Sequence, residues 1–164
     1  MNKQSIQQAI LGVGLAWLTG CAGPRPVVAK TTPVDHCHML NVGTGLRYDC
    51  NGFIAAFHDA PPDATMNPEG DLDQMVSGLV EGFRNLGDRV NAKIHVEKSS
   101  RKIGGRDVLA AKVAVDAQLP PGMSYAGGFA VVSGHRGILC TADSGPALER
   151  CEPVVRFLVE NRAP

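Results

Sequence analysis

The chain has 164 residues, the length of one domain with a short appendage, and its 16 Lys and Arg balance 16 Asp and Glu. Zero formal charge removes the electrostatic basis for a nucleic-acid partner, and 44% hydrophobic against 20% charged residues excludes wholesale disorder. Aromatics at 5% leave the core to aliphatic side chains and Ala, while 19 Gly and 11 Pro demand many turns.

Residues 1–8 are polar, and residues 9–18 (AILGVGLAWL) form an uncharged apolar run. That run is too short for a spanning helix, which needs about 20 apolar residues, and it fits the h-region of an export signal. It ends in Leu18-Thr19-Gly20-Cys21, which resembles the lipobox of bacterial lipoproteins. The resemblance implies cleavage before Cys21 and acylation of that residue, with residues 1–20 as signal peptide. At about 0.8 kcal/mol per buried methylene, several acyl chains anchor a protein without any spanning segment. Ala22, in place of Asp, implies sorting to the outer rather than the inner membrane in a Gram-negative host. Residues 21–34 carry Pro and no periodicity, and read as a tether. A single globular domain is expected over 35–164.

Four further cysteines, Cys37, Cys50, Cys140 and Cys151, form an even set in an exported chain, which argues for disulfides. Spacing favours the local pairs Cys37–Cys50 and Cys140–Cys151. Pairings that join the two ends of the domain stay open if the terminal elements are neighbours in one sheet.

The elements follow in order. Residues 46–57 read as a hairpin broken at Asn51-Gly52, and 59–70 as a loop. An amphipathic helix comes next, with an Asp71/Gln74 capping box, a stripe at Leu72, Met75, Val76, Leu79, Val80, Phe83 and Leu86, and a stop at Gly87. Gly78 and Gly82 lie one turn apart beside the stripe and suggest close packing of helix on sheet. Residues 91–98 and 107–117 alternate around Ile103-Gly104-Gly105 as a long hairpin, followed by a turn at Pro120-Pro121-Gly122. Strands at 124–133 and 136–142 flank Gly134-His135. A last helix runs from Ser144 to about Asn161, with Pro153 expected to kink or split it.

Strand pair, helix, four strands and helix make an α+β fold, an antiparallel sheet of about six strands with helices packed on it. The hairpin KIGGRDVLAAKVAV (102–115), the strands GGFAVVSGHRGILCTA (127–142) and the closing VVRFLVEN resemble the Mog1/PsbP-like family. That resemblance covers 46–161 and implies an α/β/α sandwich and a non-enzymatic accessory or assembly role.

Candidate sites are few. Lys98, Arg101, Lys102 and Arg106 cluster around the hairpin tip, as a solvated turn or as a contact for an acidic partner. His36-Cys37-His38, with Met39 or the distant His58, offers soft and borderline donors, but a disulfide at Cys37 removes the thiolate. Glu69, Asp71 and Asp73 lack the spacing of a calcium loop. Ser133 and His135 are neighbours without a strand-elbow motif, and no zinc-protease, Walker or dinucleotide fingerprint occurs. The sequence thus leads to a non-catalytic, lipid-anchored envelope protein with a protein partner and no cofactor. A periplasmic metal-binding or redox protein built on His36-Cys37-His38 is the alternative, and a hydrolase with an unrecognised site stands third.

Overall fold

The computed structural model describes residues 31–87, 92–116 and 126–161. The signal peptide, Cys21, the tether through residue 30 and the turn at Pro120-Pro121-Gly122 lie outside those residues. From Thr32 onward the chain forms one compact unit.

A single seven-stranded antiparallel sheet organises that unit. Its strands are β1 (His38–Val42), β2 (Gly45–Cys50), β3 (Phe53–Asp59), β4 (Lys93–Ile103), β5 (Arg106–Asp116), β6 (Gly127–Ser133) and β7 (Arg136–Ala142). They lie in the order β1-β2-β3-β7-β6-β5-β4. Helix α1 (Pro68–Gly87) packs on β5 and β6 and reaches β7, while α2 (Gly145–Glu160) packs on β7, β3 and β6.

Alternation decides which side each helix takes. On β5, Ala111 and Val113 join the cluster under α1 with Leu72, Val76, Leu79 and Phe83. Val108 and Ala110 point the other way, into the cluster with Val154, Val155, Leu158 and Val159 of α2. The central strands are therefore buried on both faces, and the layers are helix, sheet, helix. Helix α1 approaches closely where the sheet is small. A Cβ on Gly128 would lie 2.6 Å from the Cys140 carbonyl oxygen and 3.5 Å from the Leu79 methyls.

The hairpins at Asn51-Gly52, Gly104-Gly105 and Gly134-His135 fall where the breakers predict. Gly104 and Gly105 take φ of 56° and 79°, the two left-handed positions that a tight turn between twisted strands requires. The register Ile103↔Arg106 follows directly. Both local disulfides form, Cys37–Cys50 and Cys140–Cys151. The first ties the segment before β1 to the end of β2. The second fastens α2 to β7 inside the core, where both cysteines are fully buried.

Four expectations change. β1 was not foreseen, because its five residues are all exposed and carry no alternating burial for a pattern to reveal. Helix α1 begins three residues before Asp71. Asn67 is its cap, its side-chain oxygen accepting from the Gly70 N–H at 3.2 Å, with Pro68 first in the helix. The Asp71/Gln74 box is thus inside the first turns. Pro153 leaves α2 unbroken, since it sits on the exposed side where water solvates the carbonyl it cannot engage. Gly78 and Gly82 do not serve close packing, because a Cβ at either meets nothing within 4 Å.

Candidate functional site

The domain starts with a turn in which the Thr32 hydroxyl and N–H both donate to the Asp35 carboxylate. Those bonds, the hydroxyl's first, hold the Asp35 carboxyl below its ordinary value. Val34 packs against the core, so the folded region takes in residues that the sequence assigned to the tether. The turn delivers Cys37 to Cys50, which removes the thiolate from the His36-Cys37-His38 set. His36 and His38 are exposed. His38 pairs across with Asp49, at the end of the hairpin away from the Gly45–His58 pair, so His58 is not brought to it.

The basic residues of the β4–β5 hairpin do not form one patch. Lys98 shares a face with Ala111 and pairs with Asp73 of α1. Arg101 lies on the opposite face and reaches Glu152 of α2 at 3.2 Å. Lys102 meets Asp107 across the turn at 3.7 Å. Arg106 makes no ion pair among the described residues and lines a shallow cleft with Asp59, Ser133 and His135. Asp73 is committed to Lys98, and no group of three or more His, Cys, Asp or Glu side chains is placed to hold a metal ion among the described residues.

Ser133 and His135 line that same cleft. Ser133 pairs with Arg136 on the α2 side, while His135 stands in the β6–β7 turn and also lines the cavity beside α1. No hydrogen bond joins them. Asp59, the nearby acid, is gripped by Arg136 through two parallel bonds of 2.6 and 2.7 Å.

Arg136 is the residue that sequence reasoning passed over. It is 7% exposed, the one buried charged side chain among the described residues. Beyond Asp59, its guanidinium donates to the carbonyls of Leu158 (2.9 Å) and Asn161 (2.8 Å) and lies 4.2 Å from the Phe57 ring centroid. It therefore caps the C-terminal end of α2 and joins β3, β7 and α2 at one point. A signal existed. Arg136 has the same parity as Ile138 and Cys140, so a charge stood where the strand pattern demanded a core residue.

The α1 side of β1, β2 and β3 is largely uncovered. Among the described residues no helix lies over it. Register places Leu40, Arg47, Ala56 and Leu139 in one row across that face, and His38, Asp49, Ile54 and Thr141 in the next. Leu40, Val42 and Ile54 are 39%, 57% and 37% exposed. An Arg47–Asp49 ion pair runs along the middle strand. Where this face meets α1, a groove of about 560 Å³ opens between Gly78, Gly82 and Phe83 of the helix and Ile54 and Thr141 of the sheet. The two glycines thus form a wall of the groove rather than a contact.

Among the described residues, no helix is long and apolar enough to cross a membrane. No protein-family model, curated protein or solved structure matches the chain.

Proposed function

We propose that the protein is a non-catalytic, lipid-anchored component of the bacterial cell envelope, an accessory or assembly subunit that holds a partner polypeptide on the bare half of its sheet. The observation that carries this reading is the helix-free face where Leu40, Val42 and Ile54 flank the Arg47–Asp49 pair, bordered by the groove at Gly78 and Gly82. Scattered exposed apolar residues are ordinary, but a helix-free face that borders a groove lined by Ile54, Leu79 and Phe83 suits an interaction surface.

The geometry suits one kind of occupant, an amphipathic helix laid beside α1. Three strands at about 4.8 Å spacing leave a strip about 10 Å wide, close to the 10–12 Å diameter of a helix. The Gly78 and Gly82 surface of α1 carries no side chain towards the groove, which lets a second helix approach closely. Burying Leu40, Val42 and Ile54 contributes on the order of 1–2 kcal/mol each. The Arg47–Asp49 pair offers polar partners that fix the register of the occupant.

The lipobox-like Leu18–Cys21 supports anchoring by acyl chains at Cys21, and Ala22 supports the outer membrane. The resemblance of the 102–115 hairpin and the 127–142 strands to the Mog1/PsbP-like family supports an accessory role. Asp59 is engaged by Arg136, and no hydrogen bond joins Ser133 to His135, which gives the hydrolase reading no support at that cleft.

Purification from detergent extracts after mild cross-linking tests the proposal. The expected result is a discrete partner retained by wild type and by Glu149→Ala, on the outer side of α2, and lost from Gly82→Leu, which fills the groove. Equal retention by Gly82→Leu, or a wild-type protein that runs alone, overturns it.

A further inference from the structure

We infer that His58, His135, Met66 and Met75 form a binding site for a soft monovalent cation of the Cu(I) type. The site lies at the opposite end of α1 from the groove and does not depend on the docking reading. The four side chains line one cavity of about 390 Å³, with Asp71 and Gln74 beside them. They come from four parts of the chain: the end of β3, the loop before α1, the second turn of α1 and the β6–β7 turn.

Local structure holds those parts together. His58 pairs with Gly137 across β3 and β7. A Cβ on Gly137 would lie 2.6 Å from the His58 ring, so the glycine is what lets the imidazole lie flat on the sheet. The Ala60 N–H donates to the His135 carbonyl at 2.8 Å and fastens the loop to the β6–β7 turn. The Asn67 cap fixes where the loop becomes helix, immediately after Met66. Met66 and Met75 are both half-buried, and Met75 packs against the core cluster under α1.

Donor chemistry selects the ion. Among the described residues, no three His, Cys, Asp or Glu side chains converge, which disfavours zinc and hard divalent ions. Two imidazoles and two thioethers suit a soft d10 cation instead. All four cysteines outside the lipobox-like segment are in disulfides, so thioethers are the sulfur donors that the folded domain has left. Asp71 supplies a negative charge that offsets the positive end of α1. The site differs from the His36-Cys37-His38 set, whose thiol is consumed; His58 and His135 are exposed like His36 and His38, but they share one cavity with Met66 and Met75.

Silver(I) is the probe, because Cu(I) requires a reductant that would open the disulfides. It is titrated without halide into the intact, oxidised protein in detergent, carrying 13C-methyl methionine. One equivalent is expected to shift the Met66 and Met75 methyl resonances and leave Met39 in place. The double variant Met66→Leu, Met75→Leu, which conserves volume, is expected to bind at least tenfold more weakly. His58→Gln should weaken binding by a similar factor. Unmoved Met66 and Met75 resonances in the wild type, or shifts confined to Met39, overturn the site even if a variant fails to fold. Undiminished affinity in folded variants does the same.

Discussion

Arg136 occupies a place where a guanidinium has few alternatives. Its fork is matched by the two oxygens of Asp59, its remaining donors by two helix-end carbonyls, and its flat face by Phe57. Truncation leaves the half-exposed Asp59 carboxylate without its guanidinium and two helix-end carbonyls without that donor, so Arg136→Ala should lose about 1–3 kcal/mol in urea denaturation. Arg136→Lys should recover only part, since an ammonium cannot make the bidentate contact. A loss below about 1 kcal/mol for Arg136→Ala would show that the network is ornamental. The basic hairpin behaves differently because its pairs are exposed and lie on both faces. The double variant Arg101→Glu, Lys102→Glu sets like charges beside Glu152 and Asp107. It should cost about 0.5–1 kcal/mol at low salt and less at 1 M, where the Debye length is about 3 Å. Partner retention should be unchanged. Loss of the partner with the fold intact would move the docking site from the groove to the hairpin.

Helix α1 shows why one pattern supports opposite readings. Glycines a turn apart beside an apolar stripe occur where a helix approaches its support closely and equally where a surface is kept open. Only the position of the neighbouring atoms distinguishes the two, and those atoms belong to β3 and β7, far away in sequence. The open reading has a measurable sign. Gly78→Ala and Gly82→Ala should each raise stability by up to about 1 kcal/mol, read from the urea midpoint, because helix propensity improves and nothing is displaced. Destabilisation of that size would restore close packing. Elements with strong local determinants were legible from the sequence. The Gly104-Gly105 turn fixed the β4–β5 register, and loop length selected both disulfides. β1 was not legible, since an exposed edge strand takes its structure from backbone bonds to β2 rather than from a buried face of its own. The cap at Asn67 was hidden for a related reason, as Asn67-Pro68 reads equally as the end of a loop and the start of a helix. The cavity at His58 and His135 was hidden more deeply, because its ligands meet only once β3, β7 and α1 are assembled.

At the scale of the whole molecule, the unit from Thr32 onward is tied by two disulfides. The buried Cys140–Cys151 link fixes α2 to the centre of the sheet, and Cys37–Cys50 secures the point where the preceding segment enters. Replacing Cys140 and Cys151 by Ala should cost about 2–4 kcal/mol in thermal or urea unfolding without altering the partner, because the groove lies on the other face. The anchor is a separate matter from that unit. Cys21→Ser should abolish incorporation of a labelled fatty-acid analogue, and label that persists in this variant would contradict lipidation there. The proposed docking surface is the helix-free α1 side of β1, β2 and β3. A photo-activatable cross-linker placed at Ile54 in the full-length protein expressed in cells tests this most directly, with the same group at Glu149 as the control. The account predicts one discrete cross-linked polypeptide from position 54, absent from position 149. No adduct from 54, or the same adduct from both, would contradict it.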